Sequence, residues 1–210
     1  MLKGIAGRTA IVTGAADGIG WATAHHFAAQ GWSVALFDLN GARAAERAQA
    51  LGPQHSGWAC DVTNASAVKA GVAAVLARHG RIDALVNSAG HGPRAPILEI
   101  SDEQWRTGME VYLLNVVRAV RIVAPHMQAR RSGSIVNIST AWAFEPSPLF
   151  PTSAVFRAGL AAYTKLTAQS LAADGVRINN VLPGWIDSLP QTDERRDSVP
   201  MKRYGQAEEI

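Results

Sequence analysis

Thr9-Ala10-Ile11-Val12-Thr13-Gly14-Ala15-Ala16-Asp17-Gly18-Ile19-Gly20 is the stretch that decides the reading of this chain. Its first residues suit a buried strand, and its last open an alanine-rich helical pattern over residues 18–30. Between them, glycines permit a tight turn and let the backbone approach a ligand closely. A strand, a glycine loop and a helix N-terminus in that order form a dinucleotide-binding signature. The helix end supplies unpaired N–H groups and a positive dipole for a pyrophosphate.

Working outward, the pattern repeats. Apolar runs at 33–37, 57–60, 84–86, 134–138 and 177–181 read as further strands, and 41–51, 65–79, 101–130 and 152–173 as helices. Ser101 with Gln104 forms a capping box for the longest of these. Regular alternation of strand and helix predicts a doubly wound parallel sheet with helices on both faces, formed by residues 1–210 as one α/β domain. The second strand run ends in Asp38, where a carboxylate can accept hydrogen bonds from the adenosine ribose hydroxyls. With Asp17 in the loop and no Arg or Lys in the two positions after Asp38, the expected cofactor is NAD rather than NADP.

Composition limits the alternatives. Hydrophobic residues make up 48% of the 210, charged residues 18%, and no apolar run approaches a membrane span. The formal net charge of +3 comes from scattered basic pairs such as Arg130-Arg131 and Lys202-Arg203, which argues against nucleic acid as a partner. Cys60 is the only cysteine, so no intrachain disulfide forms. The opening Met1-Leu2-Lys3-Gly4 carries no apolar stretch of the signal-peptide kind, and a cytoplasmic location is expected. The histidines show no metal-ligand spacing, and no metal is expected. The polar stretch 184–199 reads equally well as a flap over a site or as a surface connection.

Residues 13–20, Asp61-Val62, Asn87-Ser88-Ala89-Gly90 and Pro183-Gly184 stand in the order found in the short-chain dehydrogenase/reductase family, which the whole chain resembles. The resemblance implies a Rossmann fold, a small-molecule substrate with a hydroxyl or carbonyl group, and a homodimer or homotetramer joined through the long helices. It implies that Gly14, Asp17, Gly18, Ile19, Gly20, Asp38, Asp61, Val62, Asn87, Ala89, Gly90, Pro183, Gly184, Ile186 and Ser188 serve the cofactor. It also implies that the family's last helix and seventh strand are missing after Ile210.

The family's catalytic set is asparagine, serine, tyrosine and lysine. Aligned through the stretch Leu160–Lys165, the tyrosine and lysine positions read Ser153 and Arg157; the serine position reads Thr140 and the asparagine position Tyr112. Thr140 keeps a hydroxyl. Ser153 is far too weak an acid to replace a phenol, and Arg157 can hold ribose hydroxyls but cannot shuttle a proton. An oxidoreductase with a relocated proton donor is the first expectation. Tyr112 is the leading candidate, beside a permanent cation able to stabilise its phenolate, and His91 the second. A catalytically silent NAD(H)-binding chain, acting as a sensor or a partner subunit, is the alternative.

Overall fold

The structure is a computed structural model and describes residues 7–210; the opening Met1-Leu2-Lys3-Gly4 lies outside the described residues. Six strands form one parallel sheet: β1 (Thr9–Thr13), β2 (Ser33–Asp38), β3 (Ser56–Ala59), β4 (Ala84–Asn87), β5 (Gly133–Ile138) and β6 (Val176–Val181). The spatial order is β3-β2-β1-β4-β5-β6. The helices are α1 (Gly18–Ala29), α2 (Gly41–Leu51), α3 (Ala65–His79), α4 (Asp102–Met109), α5 (Asn115–Ala129), α6 (Pro151–Leu171) and the short α7 (Asp193–Ser198). The expected doubly wound α/β sheet is present.

The central strands are apolar on both faces because both faces are covered. Ile11, Phe37, Leu85 and Ile135 face a core shared with α3 and α5, while Val12, Leu36 and Val86 face one shared with α1 and α2. Reversal of the strand order between β1 and β4 opens a crevice at the carboxyl ends of the strands. Thr13 secures this point. Its hydroxyl oxygen accepts from the Ser88 and Ala89 N–H groups at 3.1 and 3.2 Å, tying the glycine loop to the connection after β4.

The predicted helix over 101–130 begins as expected, with the Ser101–Gln104 capping box in place. It is not uniform, however. A π turn over Glu110–Leu114 separates α4 from α5, and it widens the helix where Tyr112 and Asn115 meet the connection after β4. The stretch 184–199 is folded: Thr192 caps α7, Tyr204 accepts from the Thr192 N–H, and Ile186 packs with Ala22 and Ala207. Among the described residues no helix is long and apolar enough to cross a membrane.

At the opposite end of the sheet, Asp83 is buried and accepts from Arg81, from Arg130 and from the Thr9 N–H. Burial alone would raise its pKa, but these donors outweigh it and hold the carboxyl below the ordinary aspartate range. A depressed folded-state pKa means stability that is full above the unfolded value near ~4 and lost as the pH falls through the folded one. Asp83→Asn is therefore expected to lower unfolding stability by about 2–3 kcal/mol at pH 7. Its urea midpoint should converge on that of the unmodified chain near pH 2. A gap that persists there would show that charge is not the cause.

Candidate active site

A cleft of about 640 Å³ runs along the crevice. One wall is built by the connection after β1 and the start of α1 (Gly14, Asp17, Gly18, Ile19 and Gly20), by Asp38 at the end of β2, and by Cys60, Asp61 and Val62 after β3. Gly14 and Gly18 take positive φ values of +64° and +53°. Asp17 occupies the N-cap position of α1 without capping it; its carboxylate pairs with Arg43 instead. The first-turn N–H groups of α1 thus have no side-chain cap, the arrangement that receives a pyrophosphate. Asp38 accepts from the Ala16 and Asn40 N–H groups at 3.0 and 2.9 Å, which fixes its carboxylate at the edge of the cleft. These donors and acceptors fit a dinucleotide.

Two basic residues of this end escape a reading confined to the positions just after Asp38. Helix α2 brings Arg43 onto Asp17 and places an Arg47 nitrogen 3.8 Å from the same carboxylate, while Arg47 stacks 4.4 Å above the Trp21 ring. The contact is made one turn into a helix, where no motif marks it. Cys60 is buried on this wall, and burial, then the charge of Asp61, pushes its thiol up to about 11. It rests as an unreactive thiol.

The other half of the cleft is lined by Ala89, Gly90, His91, Arg94, Tyr112, Thr140, Ser153, Arg157, Pro183, Gly184, Ile186 and Ser188. Tyr112, Thr140, Ser153 and Arg157, widely spaced along the chain, therefore share one wall. Ser153 and Arg157 are one turn apart on α6 and both are buried. Arg157 donates to the Ile138 carbonyl and sits 5.1 Å from the centroid of the Tyr112 ring. Burial pushes its pKa down to about 10, with Tyr112 opposing, so it remains a cation at neutral pH. The Tyr112 hydroxyl oxygen accepts from the Gly92 N–H at 2.7 Å. That leaves its own O–H free to donate. His91 is held below its ordinary pKa by burial, then by the charges of Arg94 and Arg157. Of the three tyrosines in the sequence only Tyr112 lines the cleft, and among the described residues no lysine does. Trp142 and Phe150 wall the mouth, with Trp185 set edge-on to Trp142 at 4.7 Å between ring centroids.

Asn87 is the exception among the expected cofactor residues, since it does not line the cleft. Its amide donates to Asn137 at 2.9 Å, and Asn137 donates in turn to Asn180 and to Thr164 of α6. The three asparagines are aligned neighbours on β4, β5 and β6. Together they form a buried polar row that fixes α6, and with it Ser153 and Arg157, against the sheet. Asn115 acts similarly: its amide donates to the Ala89 carbonyl at 3.0 Å. Among the described residues no group of three His, Cys, Asp or Glu side chains is placed to hold a metal ion.

Residues 8–199 match the family described as short chain dehydrogenase. The chain belongs to that family. It is 33% identical over 215 residues to a 3-oxoacyl-(acyl-carrier-protein) reductase of Thermotoga maritima, covering 97% of this chain and 87% of the relative. It is also 33% identical over 219 residues to a D-threitol dehydrogenase of Mycolicibacterium smegmatis, covering 97% and 83%. Two solved structures superpose closely. One is an NAD+-bound xylitol dehydrogenase, with a TM-score of 0.92 and 26% identity over 99% of this chain and 90% of that one. The other is L-sorbose reductase from Gluconobacter frateurii in complex with NADPH and L-sorbose, with a TM-score of 0.92 and 31% identity over 100% and 88%. As a short-chain dehydrogenase the chain is assigned to the NAD(P)-dependent oxidoreductases that act on CH–OH and C=O groups.

Proposed function

We propose that this short-chain dehydrogenase uses NAD(H) and acts through a rebuilt proton-transfer site. The observation that carries the reading is the single cleft with an uncapped helix N-terminus at one end and Tyr112, Thr140, Ser153 and Arg157 gathered at the other. The glycine loop and Asp38 would hold the pyrophosphate and adenosine ribose, Asp61 and Val62 the adenine, and Pro183, Gly184 and Ile186 the nicotinamide end. A bound nicotinamide dinucleotide supplies or accepts the hydride. Arg157 offers its N–H groups to the nicotinamide ribose. Thr140 positions the substrate oxygen by a hydroxyl hydrogen bond. Tyr112 gives its proton to that oxygen in the reducing direction and recovers it in the oxidising one. Arg157 beside the ring balances the phenolate charge left behind. Ser153, too weak an acid, contributes a hydrogen bond only.

The preference for NAD over NADP follows from charge: a 2′-phosphate would meet Asp38 and Asp17, the latter only partly offset by Arg43 and Arg47. Asp38→Ala is expected to raise the NADP/NAD affinity ratio by about tenfold or more, since one unfavourable charge contact is removed. A titration showing the same ratio in both proteins would overturn the assignment. Turnover is tested by screening alcohols and ketones at the nicotinamide absorbance band. Tight NADH binding with no turnover by folded protein would instead mark a silent dinucleotide-binding member.

An assembly of two or four copies is also proposed. Val155 and Leu166 are exposed, and Ala158, Gly159 and Ala162 lie between them on the same outer face of α6.

A further inference from the structure

The two ends of the cleft carry opposite charge, and the strand order is the cause. Its acids, Asp17, Asp38 and Asp61, stand in the connection after β1, at the end of β2 and in the connection after β3. Its basic groups, His91, Arg94 and Arg157, come from the connection after β4 and from α6. Neither arginine is neutralised. Among the described residues no carboxylate lies within 4 Å of Arg94 or Arg157.

Arg157 is buried, and Arg94 is exposed and rests on an aromatic ring. Arg94 lies 4.5 Å above the Phe150 ring centroid, and Thr152 anchors its neighbour by donating its hydroxyl to the Pro93 carbonyl at 2.8 Å. Arg157 is only 9% exposed, lines the cleft, and commits one guanidinium nitrogen to the Ile138 carbonyl. A desolvated guanidinium without a counter-ion is costly, and an anion delivered to it recovers part of that cost. Helix α6 adds to the same field. Phe150 at its cap position gives no side-chain cap, Pro151 has no N–H, and the Thr152 hydroxyl is turned to Pro93, so the positive end of a 21-residue helix faces this region uncompensated. A neutral sugar or alcohol would leave Arg94 without a charge partner.

We propose that the chemistry end of the cleft selects a substrate that carries a carboxylate, an oxo acid or hydroxy acid, with Arg94 as its direct charge partner and Arg157 as the deeper positive pole. This rests on the cofactor reading above, since the acid would enter beside a bound dinucleotide. A phosphate ester is the other anion such a field attracts. The carboxylate is favoured because the mouth offers a single planar guanidinium fork, which matches a carboxylate's two oxygens.

The test uses the full chain saturated with NADH. Binding of 2-oxobutanoate, acetoacetate and levulinate is compared with that of their methyl esters by quenching of nicotinamide fluorescence. At least one acid is expected to bind about tenfold or more tightly than its ester. Arg94→Met is expected to erase the difference with NADH affinity and thermal midpoint unchanged, and Arg94→Lys to restore part of it. Equal binding of every acid and its ester, or an acid preference that survives Arg94→Met, overturns the proposal. So does binding of dihydroxyacetone phosphate with none of the acids. A chain that fails to bind NADH at all is seen before any acid is added, and that result sinks the cofactor reading together with this one.

Discussion

Gly20→Val is expected to abolish dinucleotide binding. A Cβ built at Gly20 would lie 2.0 Å from the Gly14 carbonyl oxygen and 2.7 Å from its carbon, with the Ala15 Cα at 3.2 Å. Every one of these is a backbone atom, so no side chain can rotate aside. Either the glycine turn opens or α1 is driven away from β1, and both outcomes remove the uncapped helix end from the cleft. NADH affinity should fall by more than about a hundredfold, with a loss of stability on the order of 2–4 kcal/mol from overpacking. Gly184→Ala is the matched control, because nothing lies within 4 Å of a Cβ placed there. It should leave the thermal midpoint unchanged, so any weakening of NADH binding in that variant would report contact with the ligand itself. Unaltered affinity in Gly20→Val would show that the loop is not the cofactor cradle.

Tyr112→Phe should cost about 10²–10⁴ in turnover, the range assigned to a positioned general acid. The change deletes one oxygen. The ring stays over Arg157, and the Gly92 N–H loses its acceptor. Because the O–H acts in the transition state, kcat and kcat/KM should fall together, while NADH affinity stays within about twofold. Turnover equal to that of the unmodified chain would remove Tyr112 from the chemistry. His91, also on the cleft wall, would then be the next donor to replace.

What the sequence made legible follows from the range of each interaction. Strand runs such as 33–37 and 134–138 are apolar because the sheet is covered on both faces, and that is visible residue by residue. Ser101 and Gln104 cap α4 from three residues apart, so the pair can be read directly. The π turn at Glu110–Leu114 cannot be read in this way, because no residue type or spacing marks it. Asn87 shares a motif with Ala89 and Gly90, but its side chain turns to the sheet. Its partner Asn137 is 50 positions away, and only the sheet register brings the two together. Arg94 carries no motif at all; it acquires meaning from the strand order that separates the acids of the cleft from its bases. The wall that gathers Tyr112, Thr140, Ser153 and Arg157 was legible to the extent that four positions could be aligned, and the structure brings all four to one cleft.

The central claim is that Tyr112, not a residue of α6, delivers the proton to a substrate oxygen held by Thr140, beside a nicotinamide whose ribose Arg157 holds. A crystal structure of the chain with NADH and an unreactive carbonyl analogue tests it most directly. The account predicts Arg157 on the nicotinamide ribose, the analogue's oxygen on Thr140, and the Tyr112 hydroxyl within about 3 Å of that oxygen, as proton transfer requires. A nicotinamide ring bound away from Thr140, or an analogue whose oxygen faces another proton donor with Tyr112 out of reach, would contradict it.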